Sequence, residues 1–152
     1  MNILMVCLGN ICRSPLAEGI MREKLIKYGI SGFVDSAGTS AFHTGENPDF
    51  RSIEIALKHG IDISEQRARL FSSDDFDKFD YIFVMDRSNY SDVLKMAQTN
   101  EHRQKIELIM NSVEPGKNLE VPDPFYGGKD EFAKVYNLLN NSCEVIARSL
   151  TK

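Results

Sequence analysis

Residues 6–18, with the sequence Val-Cys-Leu-Gly-Asn-Ile-Cys-Arg-Ser-Pro-Leu-Ala-Glu, constrain the fold of this chain more than any other stretch. The apolar run just before them predicts a buried strand, and apolar residues at helical spacing predict a helix over 16–28. Ser14 suits the N-cap of that helix, Pro15 suits its first position, and Glu18 adds an acid in its first turn. The stretch is therefore predicted to be a loop between a strand and a helix.

A loop of this kind is an anion site. The N-terminus of a helix leaves backbone N–H groups unpaired, and a loop wrapped around it adds further N–H donors. Gly9 and Asn10 suit the tight curl that such a loop needs, and Arg13 offers a planar fork that matches two phosphate oxygens. Cys7 lies at the mouth of the loop, where an arginine and a helix N-terminus favour the thiolate. A thiolate at the floor of a phosphate cradle is a nucleophile aimed at phosphorus.

Length and charge narrow the class of protein. The 152 residues suit a single domain over 1–152 with a core of its own. A net charge of −4 gives no reason to expect nucleic acid or an anionic membrane as a partner. No segment is long and apolar enough to span a bilayer, and the first residues do not resemble a signal peptide. We expect a cytoplasmic protein, with secretion by a route without a signal peptide left open.

The cysteines and histidines do not indicate a metal site or a disulfide framework. Cys7 and Cys12 lie in one loop, and Cys143 is the third of an odd number of cysteines. No spacing of cysteine and histidine resembles a zinc site, and each histidine is expected to be a surface or capping residue. We therefore expect no metal and no cofactor. The histidines are His43, His59 and His102.

Strands alternate with helices along the rest of the chain. This alternation predicts an α/β fold in one domain, a three-layer sandwich with a four-stranded parallel sheet and helices on both faces. Ligands bind such sheets beyond the carboxyl ends of the strands, which is where Cys7 lies. The further strands are predicted at 33–39, 80–85 and 105–110, and the further helices from Pro48 to His59, through Met96, and over 129–150. The nucleotide-binding patterns G-x-x-x-x-G-K-[ST] and G-x-G-x-x-G are both absent from the sequence.

Asp123 lies between two prolines in the segment Val-Pro-Asp-Pro-Phe-Tyr-Gly-Gly at 121–128. A phosphate ester leaves as an alkoxide or phenoxide unless a general acid protonates it, and a thiolate cannot serve as that acid as well. The prolines stiffen the chain, so that a carboxyl held on this loop could deliver a proton and then activate a water molecule. The residues alone leave open a plain turn, which is the usual role of an Asp-Pro pair.

The two motifs together closely resemble those of the low-molecular-weight protein tyrosine phosphatases, and the order of elements between them agrees along nearly the whole chain. The resemblance implies a metal-free enzyme that hydrolyses phosphotyrosine in proteins, and small aryl phosphates, through a phosphocysteine. It implies that Cys7 attacks phosphorus, that Arg13 binds the developing charge and that Asp123 protonates the leaving phenol. The phosphate-binding loop would comprise Leu8, Gly9, Asn10, Ile11, Cys12, Arg13 and Ser14.

The resemblance also assigns supporting roles. Ser14 matches a serine that hydrogen-bonds the nucleophile, and Asn10 matches the residue that holds the loop in a strained conformation. Ser36 and His59 match positions that support Asn10 through hydrogen bonds. Cys12 matches a second loop cysteine that pairs with the nucleophile under oxidation, which implies reversible inactivation by peroxide.

Substrate selection in the family depends on a deep slot for a flat aromatic ring. Phe42 and Phe125 stand where other members commonly carry Trp or Tyr. Ile11 favours phosphotyrosine, because a related branch that hydrolyses phosphoarginine carries a threonine at this position. Tyr126 matches a tyrosine that can itself be phosphorylated, or it packs beside the slot. The slot residues implied by the resemblance are Leu8, Ile11, Phe42, Phe125 and Tyr126.

The implied partners are tyrosine-phosphorylated proteins, with inorganic phosphate as product and inhibitor, and the protein is expected to be a monomer. Three other functions compete with this interpretation. An arsenate reductase needs redox cysteines late in the chain, where only Cys143 is present. A silent phosphoprotein-binding module would lack the nucleophile or the acid, yet Cys7 and Asp123 are both present. A protein arginine phosphatase of the same fold would keep the mechanism and change the substrate.

Overall fold

The structure, a computed structural model, describes residues 1–151 and contains the predicted parallel sheet. The strands lie in the order β2-β1-β3-β4, so the strand order reverses beside β1. A ligand crevice forms at such a reversal, beyond the carboxyl ends of the strands. The strands are β1 (Asn2–Cys7), β2 (Phe33–Gly38), β3 (Tyr81–Val84) and β4 (Ile106–Leu108).

Helices cover both faces of the sheet. On one face, Ile3 and Met5 pack against the apolar sides of the first, second and last helices. On the other face, Leu4 and Val6 pack against Phe76 and its neighbours on the third and fourth helices. Alternate residues of one strand thus serve two cores, and the predicted three-layer sandwich is confirmed. The helices are α1 (Arg13–Lys27), α2 (Phe50–Lys58), α3 (Asp75–Lys78), α4 (Arg87–Met96), α5 (Asn100–Lys105) and α6 (Lys129–Leu150).

The predicted start of α1 is wrong. The helix begins at Arg13 with Cys12 at the N-cap, so Ser14 is its second residue, and no acid lies in its first turn. The hydroxyl of Ser14 bonds to neighbours in the preceding loop instead of capping the helix. Glu18 lies one turn further on, where it accepts hydrogen bonds from side chains. The loop therefore runs directly into the helix.

Local residues explain where helix α2 and strand β4 begin and end relative to the prediction. Helix α2 begins two residues after the predicted Pro48, because the carboxylate of Asp49 caps it by accepting a hydrogen bond from the N–H of Arg51 at 2.9 Å. Helix α2 ends at the predicted place, with Gly60 in the left-handed region at φ +76°. Strand β4 is shorter than predicted and gives way to a 3₁₀ turn at Ile109–Ser112.

Within residues 1–151, no helix combines the length and the apolar character that crossing a membrane requires.

Candidate active site

The segment between β1 and α1 forms a tight loop at the carboxyl end of the central strand. Cys7 is the last residue of β1, and Asn10 adopts the left-handed conformation at φ +57°. The loop is fixed to the chain after β2, because the N–H of Thr39 bonds to the Cys7 carbonyl at 3.0 Å. Gly38 allows this approach, since a Cβ there would lie 2.7 Å from the carbonyl oxygen of Leu8.

The side-chain amide of Asn10 is buried, and its hydrogen bonds stabilise the conformation of this loop. Its Nδ2 donates to Ser14 Oγ at 2.8 Å and to Ser36 Oγ at 3.0 Å, and its Oδ1 accepts from the N–H of Arg69 at 2.9 Å. Ser14 Oγ also lies 3.0 Å from Cys7 Sγ. A chain of hydrogen bonds therefore connects the strained backbone of the loop to the cysteine that we expect to be the nucleophile.

The predicted role of His59 is wrong. Its ring stacks on the ring of Tyr136 with centroids 3.8 Å apart, at the end of α2, so that packing against α6 takes the imidazole away from the loop. Within the described residues, Asn10 makes its side-chain hydrogen bonds with Ser14, Ser36 and the backbone of Arg69 instead.

Glu18 takes a supporting position that sequence reasoning missed. Its Oε1 accepts from Ser36 Oγ at 2.7 Å, and its Oε2 accepts from Arg22 at 2.6 Å. Burial raises the pKa of Glu18, although these two hydrogen bonds act in the opposite direction. The i,i+4 spacing of Glu18 and Arg22 was a signal for their pairing, but nothing local indicated the contact with Ser36.

The side chain of Arg13 is buried and is held in place by other parts of the chain. It is 2% exposed, and its Nη1 donates to Asp86 Oδ2 at 2.7 Å and to the carbonyl of Val121 at 2.9 Å. Burial would lower the pKa of Arg13, but the negative charge of Cys7 and the hydrogen bond to Asp86 outweigh it and raise the pKa. Its buried Nε has no hydrogen-bond partner among residues 1–151. One edge of the guanidinium is thus fixed by protein, and the other edge is left for an anion.

Asp123 lies across the cleft from the loop. Its Oδ2 is 3.6 Å from Nη2 of Arg13, and its Oδ1 accepts from the N–H of Phe125 at 3.1 Å. The side chain is 41% exposed, whereas the arginine beneath it is buried. The carboxyl can therefore meet both solvent and a group bound at Arg13.

The cleft has a volume of about 370 Å³, and all five predicted slot residues line it. His43, which we expected to be a surface or capping residue, forms part of its wall. The rings of His43 and Phe42 pack edge to face with their centroids 4.8 Å apart. Nδ1 of His43 forms a hydrogen bond of 3.0 Å with Oε2 of Glu46. No sequence pattern indicated this position. The lining comprises Cys7, Leu8, Gly9, Ile11, Cys12, Arg13, Ser40, Phe42, His43, Asp123, Phe125 and Tyr126.

Comparison with known proteins decides the family. The model of the low molecular weight phosphotyrosine protein phosphatase family matches residues 2–152. The chain belongs to this family. It is 42% identical over 145 residues to the human low molecular weight phosphotyrosine protein phosphatase, covering 93% of this chain and 90% of the relative. It is 42% identical over 138 residues to the same phosphatase of Schizosaccharomyces pombe, covering 89% and 87%.

Solved structures in the family share the fold of this phosphatase. A protein tyrosine phosphatase from Entamoeba histolytica superposes with a TM-score of 0.92 at 38% identity, covering 99% of this chain and 96% of that one. An arginine phosphatase from Drosophila superposes with a TM-score of 0.92 at 32% identity, covering 100% and 99%. The fold is therefore common to phosphatases that are named for different substrates.

The other two cysteines of this phosphatase differ from Cys7 in their surroundings. Burial, and to a lesser extent the charge of Asp49, raises the pKa of Cys12 well above its ordinary value. Cys143 is fully buried on α6, and burial raises its pKa to about 12. Both are therefore thiols at neutral pH. Within residues 1–151, no group of three His, Cys, Asp or Glu side chains is arranged to hold a metal ion.

Proposed function

We propose that this phosphatase hydrolyses phosphotyrosine in proteins, and small aryl phosphates, through a phosphocysteine formed on Cys7. One observation carries the proposal: the nucleophilic thiol, the free edge of a buried arginine and an acid line a single cleft. In addition, the backbone N–H groups of residues 9–12 donate to no acceptor within the described part of the chain. The loop thus offers oriented donors to the oxygens of a phosphate.

In the first step, Cys7 Sγ attacks phosphorus and the bond from phosphorus to the aryl oxygen breaks. Asp123 gives its proton to the departing oxygen, while Arg13 and the loop N–H groups bind the three equatorial oxygens. Donors fixed in place before the reaction stabilise this charge without reorganising, which is typically the largest catalytic contribution. The immobility of Arg13 between Asp86 and Val121 supports this role.

In the second step, water attacks the phosphocysteine, and Asp123, now ionised, accepts its proton. The sulfur–phosphorus bond breaks, phosphate is released and Cys7 leaves as the thiolate. The hydrogen bond between Ser14 and Cys7 supports this departure, because it stabilises the negative sulfur. Inorganic phosphate, bound by the same donors, is expected to inhibit competitively. We also propose that the enzyme acts as a monomer, since residues of one chain line the cleft. We propose the cytoplasm as its location, as expected from the sequence.

The choice between phosphotyrosine and phosphoarginine depends on the slot. Ile11 lines it with an apolar side chain, which offers no hydrogen bond to a guanidinium. Phe42 and Phe125 add aromatic walls suited to a phenyl ring. The similarity to an arginine phosphatase keeps phosphoarginine as the second candidate substrate.

The test is phosphate release from matched phosphotyrosine and phosphoarginine peptides without added metal, with Cys7→Ser as the control. Turnover of the phosphotyrosine peptide that is lost in the variant supports the proposal. A preference for the phosphoarginine peptide would keep the mechanism and overturn the specificity. No turnover of either peptide, with phosphate still bound, would favour a silent binding module or a reductase.

A further inference from the structure

Arg51, in the first turn of α2, contacts the acid loop, which comprises residues 121–128 and carries Asp123. Its Nη2 donates to the carbonyl of Phe125 at 2.9 Å, and its Nη1 donates to the carbonyl of Gly127 at 2.8 Å. Arg51 does not line the cleft. It therefore contacts the acid loop from the side away from the substrate.

The guanidinium of Arg51 is itself held rigidly. Asp49 accepts from Nε and from Nη2 at 3.0 Å each, and the ring of Phe132 lies 4.4 Å from the guanidinium carbon. Burial would raise the pKa of Asp49, but the hydrogen bonds from Arg51 lower it, so the pair is charged at neutral pH. The carboxylate of Asp49 and the ring of Phe132 thus fix the plane of the guanidinium that bonds to the loop.

The same turn of α2 is attached to the phosphate-binding loop. The N–H of Asp49 donates to the carbonyl of Ile11 at 2.7 Å, and Ser52 Oγ donates to the carbonyl of Cys12 at 3.1 Å. The start of α2 consequently bonds to both of the loops that carry the chemistry.

The contact with Phe125 connects Arg51 to the acid through one residue. Arg51 fixes the carbonyl of Phe125, and the N–H of Phe125 donates to Asp123 Oδ1 at 3.1 Å. The other anchors of the loop lie at its start, where Val121 bonds to the Met85 carbonyl at 2.9 Å. Arg13 donates to the Val121 carbonyl at 2.9 Å and lies 3.6 Å from Asp123, whereas Tyr126 at the tip is 95% exposed. Arg13 thus contacts the carboxyl itself, and Arg51 fixes the backbone that follows it.

We propose that Arg51 is a positioning residue, which holds the acid loop at a set distance from the phosphate-binding loop so that Asp123 meets the departing oxygen. The inference rests on the proposed role of Asp123 as general acid. Arginine is needed because one planar fork makes two bonds to Asp49 and two to loop carbonyls, and the ammonium of lysine cannot reproduce that plane.

The test compares Arg51→Lys and Arg51→Met with Asp123→Asn on two aryl phosphates. p-Nitrophenyl phosphate has a leaving group that needs little protonation, whereas phenyl phosphate depends on the acid. Since general acid catalysis contributes about 10²–10⁴-fold, we expect Arg51→Lys to slow phosphocysteine formation from phenyl phosphate about 10- to 100-fold. Formation from p-nitrophenyl phosphate should fall by less than about 3-fold, because the acid contributes little there. Single-turnover kinetics measure both rates.

A double variant and a control complete the experiment. In the Asp123→Asn background, Arg51→Lys should add no further loss, because both changes remove one interaction. Lys129→Met is the matched control: this cation lies near the loop and pairs with Glu54 at 3.2 Å, so its loss should leave both rates unchanged. Circular dichroism of each variant confirms folding, and Arg51→Lys serves alone if Arg51→Met does not fold.

Two outcomes would contradict the proposals, and they are distinguishable. In the first, the rate loss caused by Asp123→Asn depends on the leaving group, but Arg51→Lys slows phosphocysteine formation equally from both substrates or from neither. Arg51 then does not position the acid. If Asp123→Asn itself shows no dependence on the leaving group, Asp123 is not the general acid, and the positioning role fails with it.

Discussion

Ser14 shows how one hydroxyl joins the shape of the loop to its chemistry. It accepts from Asn10 at 2.8 Å, which leaves its own proton for two acceptors, Cys7 Sγ at 3.0 Å and the carbonyl of Ala37 at 3.4 Å. A hydrogen bond to a charged group is worth about 1.5–3 kcal/mol, so Ser14→Ala should lower turnover about 10- to 100-fold. The loss should fall on hydrolysis of the phosphocysteine, seen as a burst of phenol followed by slow release of phosphate. Equal slowing of both steps would contradict a role in thiolate departure.

Cys12 is expected to protect Cys7 against irreversible oxidation. Peroxide oxidises the Cys7 thiolate to a sulfenic acid and is itself reduced to water; the Cys12 thiol then forms a disulfide with release of water. Both cysteines line the same cleft, and the raised pKa of Cys12 keeps it a thiol until then. Cys12→Ser should therefore lose the recovery of activity that dithiothreitol gives the wild type after peroxide.

Cys143→Ala is the control for that experiment, since Cys143 is fully buried on α6 and should not affect recovery. Unchanged recovery in Cys12→Ser would overturn the protective role.

At the scale of elements, one carboxylate connects the ends of α1 and α6. Glu144 lies 3.1 Å from Lys24, 3.3 Å from Lys27 and 2.8 Å from Arg148, and it also accepts from the hydroxyl of Tyr28. The hydrogen bond from Tyr28, followed by those from the cations, holds the pKa of Glu144 well below its ordinary value.

We expect Glu144→Gln to lower the free energy of unfolding at pH 7 by about 1 kcal/mol, because two of the three cations around Glu144, Lys27 and Arg148, are solvent-exposed. A carboxylate whose pKa is lowered in the folded state stabilises it above the unfolded pKa of about 4.3 and loses this effect as the pH falls. Urea titrations of the wild type and the variant should therefore differ most at pH 7, and the difference should narrow progressively as the pH falls below about 4.3 toward the lowered pKa of the folded state. Glu131→Gln, which removes a single exposed pair on α6, is the control. A difference that does not narrow at all between about pH 5 and about pH 2 would contradict the electrostatic explanation.

The elements that could be predicted are those whose residues bury a periodic apolar face. Helix α6 was predicted with its bounds, because its apolar residues recur at helical spacing and pack into the core. Helix α5 was missed, since none of its six residues is buried and it has no apolar period. Strand β4 has only three residues, and the apolar Ile109 and Met110 that extended the prediction lie in the 3₁₀ turn.

At the scale of the whole molecule, the site consists of residues that adjoin in sequence and of partners that lie far from them in sequence. The phosphate-binding loop could be predicted because its residues adjoin in sequence and their types define one chemistry. The partners that hold it could not: Asp86 lies 73 positions from Arg13, and Arg51 lies 74 from Phe125. Such contacts depend on how the sheet brings strand ends together, which no local pattern records.

Because the anion site joins segments from across the fold, we expect inorganic phosphate to stabilise the whole domain. A ligand that binds only the native state at ten times its Kd adds about 1.4 kcal/mol, which corresponds to a rise in Tm of roughly 3–5 °C for a chain of this length. Thermal melts in phosphate, against chloride at matched ionic strength, measure the shift. Arg13→Lys should abolish the rise in Tm, because lysine has no planar guanidinium with a free edge for phosphate. Arg67→Met, a change at an arginine outside the cleft, should retain the rise and is the control. An equal shift in chloride, or in Arg13→Lys, would mean that phosphate acts on the surface in general and not at the loop.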